Sequence, residues 1–368
     1  MRIGLVGCGR FGRYAVEHML KVPGLHLTAV ADSDTVAAAA AAHQFGLTAA
    51  VSVAELLSSP DVDLIYLATP PFLHHQHAMI ALQHGKHVLC EKPLATDLAQ
   101  AQEMVDTARS KQRLCVVDLL QRYNPLSWKV LQLVSAGLLG QPLHGYFENY
   151  ASDENLPAGH WFWDPHKSGG IFVEHGVHFF DLFAWWLGSG DVMAASRVLR
   201  PGSALEEQVT CTARYGHVAV HFYHGFTQPV RMDRQELRLL FERGDITLHE
   251  WIPTRIEVRA LVNEESLAAL GQLFDDATIH DVAVYEGDDR AVQGRHHHFQ
   301  ATRRIHLTWG AGTEKMARYG ECIEGLMAEQ LRWLADATQP RRVTEDNGLD
   351  SLRMATVARR LALQTLPD

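Results

Sequence analysis

The chain has 368 residues, 47% of them apolar and 21% charged, with a formal charge of −10. That length allows two domains with cores of their own, and the balance is ordinary for a globular protein. An acidic chain lacks the basic face that binders of nucleic acid or anionic membrane carry, so neither is an expected partner.

Five scattered cysteines (Cys8, Cys90, Cys115, Cys211, Cys322) form no CxxC pair and read as free thiols of a reducing compartment. Met1-Arg2 leads straight into an apolar strand, and no apolar run has the length of a membrane span. Cytoplasm is the expected location.

In chain order, Arg2 to Val6 reads as a buried strand, followed by Gly7-x-Gly9-x-x-Gly12 and a helical pattern from Phe11 to Leu20. Strand, glycine turn and helix are the context a dinucleotide fingerprint requires. Gly7 permits the turn, Gly9 lets a pyrophosphate approach the backbone, and Gly12 lets helix and strand pack closely. Gly7, Gly9, Arg10, Phe11 and Gly12 are therefore expected cofactor contacts, at a helix N-terminus that favours negative charge. The second strand, "LHLTAVADSD", ends at Asp32, 20 residues beyond Gly12. An acid there suits the adenine ribose hydroxyls and repels an extra phosphate, so NAD is expected. Arg10 and Arg13 leave NADP possible. The other reading of Asp32 is an N-cap for the alanine-rich helix that follows.

The alternation continues with a helix from Thr35 to Phe45, a short strand near Ala49–Val51 and a helix from Val53 to Leu57. Then come strand Asp63–Thr69, helix His74–His84, strand His87–Cys90, helix Asp97–Ser110 and strand Leu114–Asp118. Such regularity predicts a Rossmann-type, doubly wound parallel sheet with its ligand site past the carboxyl ends of the strands. Gly7–Gly12, Thr69–Pro71 and Glu91–Pro93 should line that site, which adds Thr69, Pro70, His74, Glu91 and Lys92 to the expected cofactor contacts. The cluster His74, His75, His77 opens a helix with no Cys or Asp to complete a ligand set, so no metal is expected there. The run His296–His298 is read the same way. Pro93 forces an irregular exit from its strand, where a cis bond would suit, and can aim Lys92 into the cleft.

After Asp118, "LLQRYNPLSWKVLQLV" crosses toward a second domain, with Gln121, Arg122, Tyr123 and Asn124 at the crossing as candidate substrate contacts. Strands are expected at about Leu143–Tyr150, Ala195–Leu199, Glu207–Tyr215, His217–Phe226, Glu236–Glu242, Asp245–Glu250 and Arg255–Leu261. Turns such as Tyr215-Gly216-His217 join them as hairpins of a large, mainly antiparallel open sheet in an α+β domain. Between its first two strands lies "GGIFVEHGVHFFD", Gly169 to Asp181, where ionisable groups sit among aromatics at a cost unless paired or used. A helix from Ile171 to Trp186 would put Glu174, His178 and Asp181 on one face, at i, i+4 and i+7, with His175 about 100° away.

These motifs together resemble the glucose–fructose oxidoreductase / inositol dehydrogenase / MocA (Gfo/Idh/MocA) family. The matching residues are the glycine fingerprint, Asp32, "TPPFLH", "GKHVLCEKP", "GGIFVEHGVHFFD" and the closing "RRVTEDNGLDSLRMATVARRL". The match is strong to about residue 190 and weak from about 250 to 310. It implies an NAD(P)-dependent oxidoreductase acting on a secondary alcohol or ketone of a sugar, polyol or related compound, with Lys92, Glu174 and His178 as the catalytic group. Lys92 would polarise the reacting oxygen, His178 would be the acid/base, and Glu174 would orient or tune His178. The family more often has Asp at Glu174 and Asn at Pro71.

His175 is a substrate contact, a support behind the reacting groups or a core residue. In "GHWFWDP", Trp161 and Trp163 would stack on a sugar face, with His160 or Asp164 on hydroxyls. The expected domains are 1–120 for the dinucleotide, 121–340 for substrate and oligomerisation, and a C-terminal helix, 341–368, packing back near the first domain. The resemblance also implies a homodimer or homotetramer through the second sheet. Two other functions remain: a non-catalytic sensor of dinucleotide and sugar, and an NAD-dependent glycosidase with no net redox.

Overall fold

A computed structural model of the chain describes residues 1–47, 50–294, 298–310, 312 and 314–364. Two units divide it. The first comprises Met1–Tyr123, Leu156–Asp181 and Gly320–Arg360; the second comprises Asn124–Asn155, Leu182–Tyr319 and Leu361–Asp368.

The first unit is built on five parallel strands: β1 (Arg2–Val6), β2 (His26–Ala31), β3 (Leu64–Leu67), β4 (His87–Cys90) and β5 (Cys115–Val117). Their spatial order is β2-β1-β3-β4-β5. The reversal of direction beside β1 marks the crevice where such sheets bind ligands. All four residues of β3 are buried, as expected where helices cover both faces. The crossovers are the helices α1 (Arg10–Met19), α2 (Thr35–Gln44), α3 (Val53–Ser58), α4 (His74–Gln83) and α5 (Leu98–Ser110). Ser52 and Glu55 close a capping box on α3. Asp34, not Asp32, caps α2: its carboxylate accepts from the amides of Val36 and Ala37. The short strand expected near Ala49–Val51 is not found. Ala49 lies outside the described residues, and Ala50 and Val51 are not in a strand, although the Val51 amide donates to the Val30 carbonyl.

Two later segments, 156–181 and 320–360, fall in this unit. The expected second domain spans 121–340, and the C-terminal helix, 341–368, is expected near the first domain. In the helix Glu345–Gln364, Gly348 lies against Val117 and Leu94; in the helix Lys315–Ala335, Gly325 lies against Tyr123.

The second unit is a sheet of nine strands. These are β6 (Pro142–Tyr150), β7 (Gly190–Leu199), β8 (Glu206–Tyr215), β9 (Val218–Gly225), β10 (Arg234–Phe241), β11 (Gly244–His249), β12 (Arg255–Val262), β13 (Thr278–Val284) and, after a small β14 (Ala291–Gln293) and β15 (His298–Gln300) hairpin, β16 (Arg303–Trp309). The order is β13-β16-β12-β11-β10-β6-β9-β8-β7. Among the described residues of this sheet only β6 and β9 pair in parallel; the other pairs are antiparallel. Along β10 buried and accessible residues alternate, the mark of a sheet packed on one face. The sequence reading missed β13, β16 and the helix Glu264–Leu273, where alternation is interrupted and charges are dense. Of the run His296–His298, His296 and His297 lie outside the described residues.

Candidate active site

The turn after β1 is shaped for an anion. Gly7 has φ +101°, and a Cβ there would lie 2.4 Å from the Ala68 carbonyl oxygen. A Cβ on Gly12 would lie 2.2 Å from the Gly7 carbonyl oxygen, so both positions require glycine. Around Gly9 nothing stands within 4 Å of such a Cβ, leaving the approach open. Helix α1 begins there with no side-chain cap and no acid in its first turn, so its N–H groups face outward with the positive end of the helix dipole. The Asp32 carboxylate accepts from the Cys8 amide (2.7 Å) and the Asp34 amide (2.9 Å), which fixes it beside the glycine turn with lone pairs to spare. Thr69 Oγ1, just past the end of β3, is buried without a hydrogen-bond partner among the described residues. These features fit a dinucleotide laid across β1, β2 and β3. A cleft of about 750 Å³ continues along Asp32, Ser33, Thr35, Ala38 and Val51, with room for an adenosine.

The other expected contacts of the cradle differ in character. Arg10 is exposed and Phe11 half-buried against the Tyr14 ring, while Pro70 opens a short turn, Pro71–Leu73. His74 is fully buried, one ring nitrogen 2.8 Å from the Pro93 carbonyl oxygen and the other 2.7 Å from that of Thr69. Burial lowers this ring to about 4, so it is neutral with a single N–H that donates to one of the two carbonyls, and it packs between the turn after β3 and the turn after β4. His75 pairs instead with Glu103 at 2.8 Å.

The second centre lies past β4. The Lys92–Pro93 peptide is cis. Lys92 Nζ donates to Glu174 Oε1 at 2.5 Å and to the Glu174 carbonyl oxygen at 3.0 Å. The pair is largely withdrawn from solvent, with side chains 19% and 10% exposed. The sequence reading put Glu174 on an α-helix facing His178. In the structure Phe172–Gly176 forms a π-helical turn and the α-helix begins at Val177. A wider turn abolishes the plain i, i+4 register, and such turns are frequent at functional sites. Glu174 is thereby given to Lys92.

His178 is buried, and its basicity is pushed well below the ordinary imidazole range, by burial first, then by the Lys92 ammonium and His175. His175 is pushed down to about 3 by burial and Lys92. Both are neutral at physiological pH, so the resting imidazole is ready to take a proton.

The remaining candidates are held more structurally than their sequence pattern suggests. Arg122 donates to both Asp181 oxygens, at 2.8 and 2.7 Å, and to the Arg342 carbonyl oxygen. Tyr123 donates its hydroxyl to Glu329 at 2.5 Å, and Gln121 is buried. Trp163 is buried with its indole N–H on the Leu156 carbonyl, whereas Trp161 and His160 are half-buried and stack on each other at 5.1 Å. Asn124 caps the helix Pro125–Ser135. The sequence reading missed Asp118, which ends β5 beside Glu91. Its signal was legible in two acids, each closing an apolar strand of four or five residues.

Comparison with known proteins agrees with this architecture. Residues 1–119 match the model of the Gfo/Idh/MocA oxidoreductase family, NAD-binding Rossmann fold, and residues 128–247 match that of the Gfo/Idh/MocA C-terminal domain. An uncharacterized oxidoreductase of Streptococcus pneumoniae is 31% identical over 188 residues, 51% of this chain and 50% of the relative. The scyllo-inositol 2-dehydrogenase (NAD(+)) of Bacillus subtilis is 25% identical over 241 residues, 59% of this chain and 69% of the relative. The first of these matches thus spans half the relative's length. The crystal structure of the WlbA dehydrogenase from Bordetella pertussis, in complex with NADH and UDP-GlcNAcA, superposes with a TM-score of 0.79 over 100% of this chain and 96% of that one, at 21% identity. With both family models matched in chain order over more than half its length, this chain belongs to the Gfo/Idh/MocA oxidoreductases, and its first unit carries their NAD-binding Rossmann fold.

Proposed function

We propose that the protein is an NAD-dependent oxidoreductase that interconverts a secondary alcohol and a ketone on a sugar, polyol or related compound. The observation that carries this reading is the meeting of Lys92, from the end of β4, with the Glu174–His178 segment. A cation and a neutral imidazole, both largely desolvated, then stand past the carboxyl ends of a dinucleotide-binding sheet. When bound, the nicotinamide accepts or supplies the hydride.

The chain's own groups do the rest. Lys92 hydrogen-bonds the reacting oxygen and stabilises its developing negative charge. Glu174 holds the ammonium in place through two bonds from one residue. Neutral His178 takes the hydroxyl proton in oxidation and returns it in reduction, a contribution of roughly 10²–10⁴-fold. Asp32 receives the adenosine ribose hydroxyls, which favours NAD over NADP. His160, Trp161 and Asp164 are the half-exposed groups of their loop that could meet a sugar face, whereas Trp163 is buried. Relatives and a structural neighbour named for inositol and a nucleotide sugar support the substrate class.

The test is turnover of a panel of polyols, sugars and nucleotide sugars with NAD and NADP, followed by nicotinamide absorbance and product analysis. Absorbance change with a ketone product is expected. Cleavage of a glycoside without net NADH points to the non-redox alternative, and binding without any product to a sensor.

Assembly as a homodimer or homotetramer through the outer face of the nine-stranded sheet is proposed with it. Sedimentation that finds only monomer at micromolar concentration removes that part. Among the described residues no helix is long and apolar enough to cross a membrane; a cytoplasmic location is proposed from the cysteine pattern.

A further inference from the structure

Behind Lys92 the sheet holds two acids that the mechanism above does not use. In the parallel pairing of β4 and β5, Cys90 stands opposite Val117, so the next residues, Glu91 and Asp118, leave the sheet side by side. The Asp118 amide donates to the Cys90 carbonyl and the Glu91 amide to the Leu67 carbonyl, which holds both backbones in ladder geometry. By the period of two, Tyr66, Leu89, Glu91, Val116 and Asp118 share one face of the sheet. The Tyr66 hydroxyl donates to Glu91 Oε1 at 2.6 Å.

Asp118 is 1% exposed, and neither of its carboxyl oxygens meets a donor among the described residues. An ionised Asp118 would thus be a buried charge with no partner, next to a second carboxylate. An un-ionised Asp118 has a proton to donate and an acceptor beside it. Like-charged carboxyls in one site resolve their repulsion this way.

We propose that Glu91 and Asp118 are one proton-sharing carboxyl pair, Asp118 as the donating acid and Glu91 as the anion that also receives the Tyr66 hydroxyl, and that the pair positions the Lys92 turn. Asp118 is a positioning residue, since it reaches the reacting atoms only through its neighbours. The pair's catalytic consequence rests on the oxidoreductase reading above; its existence does not.

The electrostatics run in the same direction. Burial and the neighbouring Glu91 raise the Asp118 carboxyl well above the usual range. Burial raises Glu91, opposed by hydrogen bonds from Asp118 and Tyr66 and by the Lys92 ammonium. Among the described residues the pair also meets the Tyr66 hydroxyl and the Lys92 ammonium, and the Cys90 thiol, on the opposite face of the sheet, is held un-ionised by burial. With Asp118 un-ionised, Lys92 has Glu174 on one side and a single shared negative charge on the other. Loss of the shared proton at alkaline pH adds a third anion around one ammonium and draws it away from the reacting oxygen.

The sign for stability follows from linkage. A carboxyl whose folded value is raised is fully stabilising below its unfolded value, near 3.8, and loses that contribution as pH rises through the folded value. Asparagine at 118 keeps a donor toward Glu91 and has no proton to lose. The experiment compares the wild type with Asp118→Asn by infrared spectroscopy and thermal unfolding from about pH 4 to about pH 8.

The wild type is expected to keep the carbonyl stretch of an un-ionised carboxyl at the upper pH, and Asp118→Asn to lack it. The midpoint of the variant is expected to gain on the wild type steadily as pH rises. In NAD-linked turnover, the alkaline fall of kcat/KM should move upward in the variant by about one pH unit or more. Should the variant not fold, wild type labelled with ¹³C at aspartate carboxyls decides: the band shifts with that label and not with labelled glutamate. Absence of the band at the upper pH, or a midpoint difference that does not change with pH, overturns the proposal. The infrared and thermal measurements need no turnover. A protein inactive on sugars therefore still reports on the pair, and failure of the pair leaves the oxidoreductase reading standing.

Discussion

Lys92 makes both of its hydrogen bonds to one residue, and that determines what its removal does. Lys92→Ala leaves the Glu174 carboxylate largely buried without a cation, a defect worth on the order of 3 kcal/mol of stability. The double change Lys92→Ala/Glu174→Ala removes the stranded charge and should recover most of the thermal stability while turnover stays absent. Recovery of turnover with stability would show that Lys92 has no chemical role. His178→Ala should cut kcat by roughly 10²–10⁴ while NAD affinity, measured by titration, changes only a few-fold. A second consequence concerns acid. Because burial and Lys92 hold His178 below the ordinary imidazole value near 6.5, the proposed base is neutral through pH 6.5 and protonates only well below it. The rate of alcohol oxidation should stay level as pH falls through 6.5 and decline only further down. A decline centred at or above 6.5 would assign the base elsewhere.

Between elements, the tie that matters is His74. Helix α4 begins at this residue, and its ring spans the carbonyls of Thr69 and Pro93, so the ends of β3 and β4 are set by one side chain. His74→Ala leaves a cavity and at least one buried carbonyl without its donor, at a cost of about 2–3 kcal/mol. It should also raise the KM for NAD several-fold with a smaller effect on kcat, since the turns it joins flank the cofactor cleft. An unchanged KM in a stable His74→Ala protein would reduce the residue to core packing. The π-helical turn at Phe172–Gly176 belongs to the same scale. Periodicity reads "IFVEHGVHFFD" as one α-helix, because aromatics recur with nearly the same spacing in both kinds of turn. Only packing decides where an extra residue is accommodated, and that choice moves Glu174 from His178 to Lys92.

At the scale of the molecule, neutral imidazoles largely withdrawn from water set the response to pH. His87 and His175 are held at about 4 and about 3 by burial, against 6.5 when exposed. Groups depressed in the fold contribute stability that is complete above 6.5 and is lost as pH falls toward those values. The unfolding midpoint should therefore drop between about pH 7 and pH 4, even though Asp118 works in the opposite sense. A midpoint that rises over that interval would mean that these rings are charged in the native state.

The Rossmann sheet was readable from residue order. Its signals are local: buried runs of four to six residues, Gly7, Gly9 and Gly12 at fixed offsets, and an acid closing β2. Each records a constraint of backbone sterics or of covering both faces of a sheet. Lys92, Glu174 and His178 stand out locally as ionisable residues in apolar company, but it is the family resemblance that groups them as one site. What the sequence could not state is which of them touch. The Lys92–Glu174 bond joins residues 82 apart, the Arg122–Asp181 pair residues 59 apart, and the Glu91–Asp118 adjacency depends on strand register. Segments 156–181 and 320–340 fall in the first unit with no local pattern to say so, whereas the C-terminal helix was placed near it by resemblance. Local pattern determines which elements form. Partnership among buried charges is decided by the tertiary structure, because the free energy of a charge depends on what surrounds it in space.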